Sequence, residues 1–475
     1  MSRTTLFRAR LAITAAMVAV AAIRLGAQAT KPPVAKPAPV YAFPKVQTRT
    51  LPNGLVVQIV EDHALPLVAV RTVIEGGALL DPAGKEGLYA LDLSLLRDGT
   101  AAMNGEQLAQ AIDQMGATVT PTSFTAITDE LAQALPLMGE MLMHPTFPAE
   151  AVDRRKAATT STLQRAEGQA PTAANRILNA VLFGPDHPLG RTATPASIAA
   201  ITRDDLVRFH DANVRPQNVT LVIVGDVVPA TVMPLVTRVF GSWEKTGERA
   251  VVKMQTTIPA QPTWVYLYDR PGAPQTTVRM GQVGPTRSNP DYYALDLAMS
   301  VLGGPTGSRL SKTLREQHAL TYNVLHVTTW RGWNEPSTII GQAQVDAAKT
   351  DSAVLVWMGE LRDIIGKRPI TDQEIGFGRA VTVGNMATRF ETFDAIANQV
   401  AAMARDHLPM SFIDDYVRRI NVTSAAEASK IVARYLNPDH TAVVVVGDRK
   451  TIELPLRAAN IGPVVIVDAN GKSIR

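Results

Sequence analysis

Apolar and polar positions follow one programme twice along this chain. The first stretch, LPNGLVVQIVEDHALPLVAVRTVIEGG (51–77), places a turn at Asn53-Gly54 ahead of alternating runs, the pattern of half-buried strands. The second, TWVYLYDRPGAPQTTVRMGQVG (263–284), sets two strand-like runs around a Pro/Gly turn. NVTLVIVGD closes one half at Asp226 and HTAVVVVGD closes the other at Asp448. Both are β-branched runs ending in Gly-Asp, which predicts a buried strand entering a tight turn. Helical spacing precedes each, around 203–211 and 424–436.

Between these strands the pentad YALDL occurs at 89–93, in GKEGLYALDLSLLRDGT, and again at 293–297, in YYALDLAMSVLGG. Each half therefore runs strand pair, YALDL helix, further helices and strands, closing strand. A period above 200 residues is too long for a solenoid repeat. The reading is an α+β chain of two homologous domains in a clam-like pair. Each has a mostly antiparallel sheet with helices packed on one face. The boundaries expected are 47–245 and 263–475, joined by TGERAVVKMQTTIPAQP (246–262), which lacks helical periodicity.

The N-terminus changes the electrostatic picture. MSRTTLFRAR is basic, a 13-residue apolar run follows, and Ala27-Gln28-Ala29 ends it, the form of a secretory signal cut after Ala29. That run is too short to span a bilayer easily, and no later segment is long and apolar enough. Residues 30–46 are proline-rich and read as a spacer. Without the leader's four arginines, the 47 Lys+Arg become 43 against 43 Asp+Glu. A balanced chain does not offer the basic surface that nucleic acid requires. With no cysteine, disulfides, thiolate metal sites and cysteine nucleophiles are excluded.

The motifs LPNGL, the GLxxxLxxxLxxGT helix, MLMHPTFPAEAVDRRK (141–156), FGPDHPLGR (183–191), the two VGD strands and GSRLSKTLREQHALTYNV (307–324) occur in one order. Together they resemble the insulinase/pitrilysin group of zinc peptidases over residues 47–470. The resemblance implies an inverted zinc motif, His-x-x-Glu-His, on the helix of the first YALDL copy. Its two histidines at i and i+4 would reach one ion, with the glutamate as general base. Here those positions are Ala90, Leu93 and Ser94. The family's third ligand falls near Thr160, and no acid lies between Asp153 and Glu167. Ala and Leu have no donor atoms and a neutral hydroxyl is a poor zinc ligand. The eight histidines include no i,i+4 pair. The chain is thus expected to bind no cofactor and to hydrolyse nothing alone. Because the second copy reads Ala294, Leu297 and Ala298 at the same positions, core packing is the plain expectation for both helices.

The resemblance also implies a role for Arg315 and Tyr322. In the family such a pair contacts substrate held at the zinc of the other domain, the guanidinium on peptide carbonyls and the phenol on the developing oxyanion. A chain keeping this pair without the zinc motif looks like the non-catalytic subunit of a heterodimeric peptidase. Its partner would be a homologous subunit with an intact His-x-x-Glu-His and its own zinc, and its ligands short or unfolded peptides. The alternative is a zinc-free structural or binding scaffold. No Gly-x-Ser-x-Gly elbow supports a relocated active site.

Overall fold

The computed structural model describes residues 43–474, with Gly116 and Pro305 excepted. The leader, its cleavage site and most of the spacer lie outside the described residues. Two six-stranded sheets dominate. The first contains β1 (Gln47–Thr50), β2 (Val56–Glu61), β3 (Leu67–Ile74), β4 (Thr118–Val119), β5 (Ser123–Ile127) and β6 (Val219–Gly225). Its spatial order is β1-β2-β6-β3-β5-β4. The second contains β7 (Val265–Asp269), β8 (Gln275–Thr286), β9 (Thr321–Thr329), β10 (Pro336–Asp346), β11 (Ala442–Gly447) and β12 (Val464–Ile466), ordered β12-β7-β11-β8-β10-β9.

The two orders superimpose strand for strand. The closing strand of each half, β6 or β11, inserts at the centre, parallel to the first long strand and antiparallel to the second. Only the outer strand differs. β1 arrives antiparallel from before the first half, whereas β12 arrives parallel from after the second. The fold is α+β, with most strand pairs antiparallel.

The VGD signature has a steric cause in the first half. Gly225 has φ 132°, and a Cβ there would lie 2.2 Å from the Leu67 carbonyl oxygen. Only glycine allows β3 and β6 to approach so closely. At the predicted turn Gly54 has φ 95°, and the Asn53 amide donates to the carbonyls of Phe240 (2.7 Å) and Trp243 (3.0 Å).

Strand alternation sorts each sheet into two buried faces. Val57, Ile59, Val68, Val70, Leu221 and Ile223 join one core with the helices of their own half. The opposite parity, Val60, Ala69, Val222 and Val224, packs with Phe393, Ile396, Ala397 and Val400 of helix Phe393–Arg405, from the second half. Reciprocally, Val444 and Val446 of the second sheet pack with Ala174, Ile177 and Leu178 of helix Ala170–Phe183, from the first half. Each half thus covers the far face of the other's sheet with one helix, in addition to the helical layer expected from sequence. Polar ties fix the exchange. Arg71 on β3 pairs with Asp394 and donates through Nε to Asn398 Oδ1 at 2.7 Å, and Thr125 donates to Asp394 at 3.0 Å. Arg71 and Thr125, aided by Asn398, hold the Asp394 carboxyl below its usual value even though burial opposes ionisation.

Candidate functional site

Helix Leu88–Leu95 begins where the Asp81 carboxylate accepts from the backbone N–H groups of Gly87 (2.7 Å) and Tyr89 (2.8 Å). These are donors that a helix start otherwise leaves unpaired. Burial raises the Asp81 pKa, against the pull of those two amides. The core stripe is Leu88, Leu91, Asp92 and Leu95, the i, i+3, i+4, i+7 spacing of one helix face. Ala90, Leu93 and Ser94 lie on the other side. Ala90 is exposed, Leu93 and Ser94 are half-buried, and Thr160 on the adjacent helix Ala149–Glu167 is half-buried as well.

The expectation of plain core packing therefore holds for only part of this helix. The three positions at which the family resemblance expects a zinc motif sit at a face that is at least partly accessible. Ser94 Oγ is already engaged, donating to the Leu91 carbonyl at 2.8 Å. Ala90 and Leu93 offer no donor. Among the described residues no group of three His, Asp or Glu side chains could hold a metal ion. Zinc does not fit these residues.

Asp92 lies on the buried stripe, away from these three positions. It is fully buried against His210, with Nδ1 at 3.2 and 3.3 Å from its two carboxylate oxygens, while His210 Nε2 meets the Leu142 carbonyl at 3.0 Å. Both ring nitrogens face acceptors, so one proton is shared between imidazole and carboxylate. Burial raises the Asp92 pKa and the His210 contact opposes it. This pair braces helix Leu88–Leu95 on helix Arg203–Asn213. Sequence reasoning missed it, since 118 positions separate the partners.

Arg315 and Tyr322 are brought together. Arg315 lies on the wide helical turn Ser311–Gln317, and Tyr322 is the second residue of β9, the outer strand of its sheet. Between them Ala319 adopts φ 47° and the Leu320 N–H closes back on the Leu314 carbonyl at 2.8 Å. The result stacks the Arg315 Cζ 4.6 Å from the Tyr322 ring centroid, a cation–π contact. Tyr322 is 82% exposed. The base of the segment is rigid. Arg309 donates to Glu374 (2.6 and 2.8 Å) and to the carbonyls of Arg368 and Pro369, and Thr313 donates to Glu360 at 3.0 Å. Burial disfavours the Glu374 charge, but Arg309 and the Thr371 N–H and hydroxyl hold its pKa at about 2. A pinned base thus presents a guanidinium and a phenol, neither bonded to another side chain among the described residues. Trp330 and Trp333 pack on the core, and the Trp330 indole donates to Asp296 at 2.8 Å.

Comparison with known proteins finds chains of similar sequence and fold. Residues 200–380 match the family described as "Peptidase M16 inactive domain". An "Uncharacterized zinc protease" of Mycobacterium leprae is 27% identical over 292 residues, 58% of this chain and 64% of that protein, so the chain spans a little under two thirds of it. The "Non-peptidase homolog YmxG" of Helicobacter pylori is 23% identical over 82% of this chain and 91% of its own. The crystal structure of a peptidase M16 inactive domain from Pseudomonas fluorescens superposes with TM-score 0.76 and 24% identity, covering 85% of this chain and 98% of that one. Its fold is shared.

Proposed function

From a chain that carries the inactive domain of the insulinase-type M16 peptidases, we propose the following role: the non-catalytic, peptide-binding subunit of a heterodimeric zinc metallopeptidase. The half at 47–245 has lost the metal site and the half at 263–475 supplies Arg315 and Tyr322 in trans to a homologous partner that carries zinc. The observation that carries this reading is the asymmetry between the two sites. Ala90, Leu93 and Ser94 offer nothing to a metal, while Arg315 and Tyr322 are stacked, exposed and held on a braced turn.

The chemistry such a subunit contributes is binding and orientation. The Arg315 guanidinium keeps its in-plane N–H donors free while its face rests on Tyr322, so it can take peptide carbonyls. The Tyr322 hydroxyl can donate to an oxyanion that forms at the partner's centre. The edge of β9 around Tyr322, ahead of the Gly303–His326 bridge, suits an extended peptide added as a further strand. Short or unfolded peptides fit such a pairing, and folded proteins do not. With the leader as its export signal, the assembly belongs in the periplasm or outside the cell. No helix among the described residues is long and apolar enough to cross a membrane.

The test is purification of the tagged chain from the envelope fraction of its own host, with zinc counted per complex. One equimolar homologous partner bearing His-x-x-Glu-His and one zinc per pair is the expected result. In that complex Arg315→Ala with Tyr322→Phe is expected to lower peptidase turnover by about 10² or more and leave assembly unchanged. A zinc-free homo-oligomer, or undiminished turnover in the double variant, would overturn the proposal and leave a structural scaffold as the function.

A further inference from the structure

Several interior arginines of this fold are given carboxylates, and Arg331 and Arg379 donate to backbone carbonyls instead. Arg71 has Asp394, Arg176 has Glu167, Arg287 has Asp406 and Arg309 has Glu374. Arg279 on β8 is different. It is only partly accessible, its Nε is buried without a hydrogen-bond partner, and it makes no ion pair among the described residues. An unpaired charge taken out of water is costly, and burial accordingly pulls the Arg279 pKa below the usual arginine value.

Register places this side chain. Arg279 stands opposite Val444 on β11 and Gln342 on β10. Directly paired residues share a sheet face, so Arg279 lies on the face that helix Ala170–Phe183 covers through Val444 and Val446. That cover ends near Pro171, and beyond it opens a cavity of about 400 Å³. Arg279, Gln342, Gln344, Thr277 and Tyr322 line it, and no lining residue is acidic. The cavity is therefore continuous with the Arg315–Tyr322 pair through the Tyr322 ring.

We infer that this cavity is a carboxylate subsite: Arg279 receives a carboxylate of the bound peptide, flanked by the amides of Gln342 and Gln344, while the adjacent peptide passes Tyr322. The planar guanidinium matches a carboxylate with two parallel N–H···O bonds. One unpaired cation balances one negative charge, whereas a phosphate would stay half-neutralised. The carboxylate comes either from a peptide's C-terminus or from a Glu or Asp side chain. The inference rests on the peptide-binding function proposed above and names its substrate class.

Calorimetric titration of the purified full chain tests it with three unlabelled peptides of one alanine-rich ten-residue sequence. One has a free C-terminus, one is its C-terminal amide, and one is the amide with a single internal Ala→Glu change. Either or both carboxylate peptides are expected to bind at least tenfold more tightly than the plain amide, and which one does so identifies the source. Arg279→Gln is expected to bring the three within about twofold while melting no lower than the parent, because it removes an uncompensated charge. Arg279→Lys keeps the charge without the fork and is expected to restore part of the preference. It carries the test if the glutamine variant does not fold. Equal binding of all three peptides by the parent overturns the subsite and leaves peptide binding standing, as does a preference that survives Arg279→Gln. Binding of none of the three by the parent overturns the peptide-binding function itself and the subsite with it.

Discussion

The same five residues, Tyr-Ala-Leu-Asp-Leu, are buried differently in the two halves of this protein, although the central leucine, Leu91 or Leu295, is core in both. In helix Leu88–Leu95 the aspartate is fully buried and Ala90, Leu93 and Ser94 look outward. In helix Tyr292–Gly303 the equivalents Ala294, Leu297 and Ala298 are buried, and it is Asp296 that reaches a partly open site, accepting from Trp330 and from the Tyr416 hydroxyl at 2.5 Å. The neighbours explain the difference. The second helix packs against β9, nine residues long, and against helices Asp372–Ala387 and Ala425–Tyr435. In the first half the outer strand β4 is two residues long, and the helix packs on Ala149–Glu167 and Arg203–Asn213. A duplicated helix has become core in one copy and the floor of an accessible face in the other.

The largest effect that would break this comparison comes from placing the same His, Glu and His residues in both copies. The triple change Ala294→His, Leu297→Glu and Ala298→His forces two imidazoles and a carboxylate into a closed core, and the chain is expected not to fold. The matching triple Ala90→His, Leu93→Glu and Ser94→His is expected to melt within a few degrees of the parent by circular dichroism. Equal tolerance in the two copies would mean that both helices are accessible.

A gentler version compares truncations of the paired leucines. Leu297 is fully buried, so Leu297→Ala is expected to cost about 2–5 kcal/mol. Leu93 is half-buried, and Leu93→Ala is expected to cost about 1 kcal/mol, in proportion to the smaller area it removes from water. Urea midpoints at constant slope measure both.

The smallest effect is a pH dependence peculiar to the second half. His326 on β9 is fully buried beside Gly303, at the end of the second YALDL helix, and its Nδ1 accepts from the Trp357 indole at 2.9 Å. Burial lowers its pKa to about 3 from an ordinary 6.5. The unfolded chain therefore takes up a proton that the folded chain refuses. The stability contributed by the neutral ring is full above pH 6.5 and falls as pH drops below it toward 3. Between pH 6.5 and 5.5 the loss is about 1 kcal/mol. His326→Gln, which keeps an acceptor but does not titrate, is expected to flatten that limb in melts at pH 7, 6 and 5. Asp92 in the first half acts in the opposite sense, since its raised pKa favours the folded state in acid. An unchanged acid slope in the variant would remove His326 as the source.

Much of this architecture could be read from the chain alone. Alternation, the YALDL copies and the VGD endings identify two α+β halves, because period and turn chemistry are local properties that survive duplication. The absence of ligating side-chain atoms at 90 and 93 is likewise legible, since no fold supplies an alanine or leucine side chain with a lone pair. The family resemblance singles out Arg315 and Tyr322, and the turn at Ala319 stacks them.

What only the tertiary structure decided is which surfaces meet. An amphipathic helix shows that it has a buried stripe but not whose sheet the stripe will cover, so the exchange of Ala170–Phe183 and Phe393–Arg405 between halves left no mark on the sequence pattern. The Asp92–His210 pair and the unpaired Arg279 are hidden for the same reason. Charge pairing across more than a hundred residues depends on strand register and helix docking, and neighbours in sequence carry no record of it. Even identical pentads acquired different roles, because burial is a property of the space around a residue and not of the residue itself.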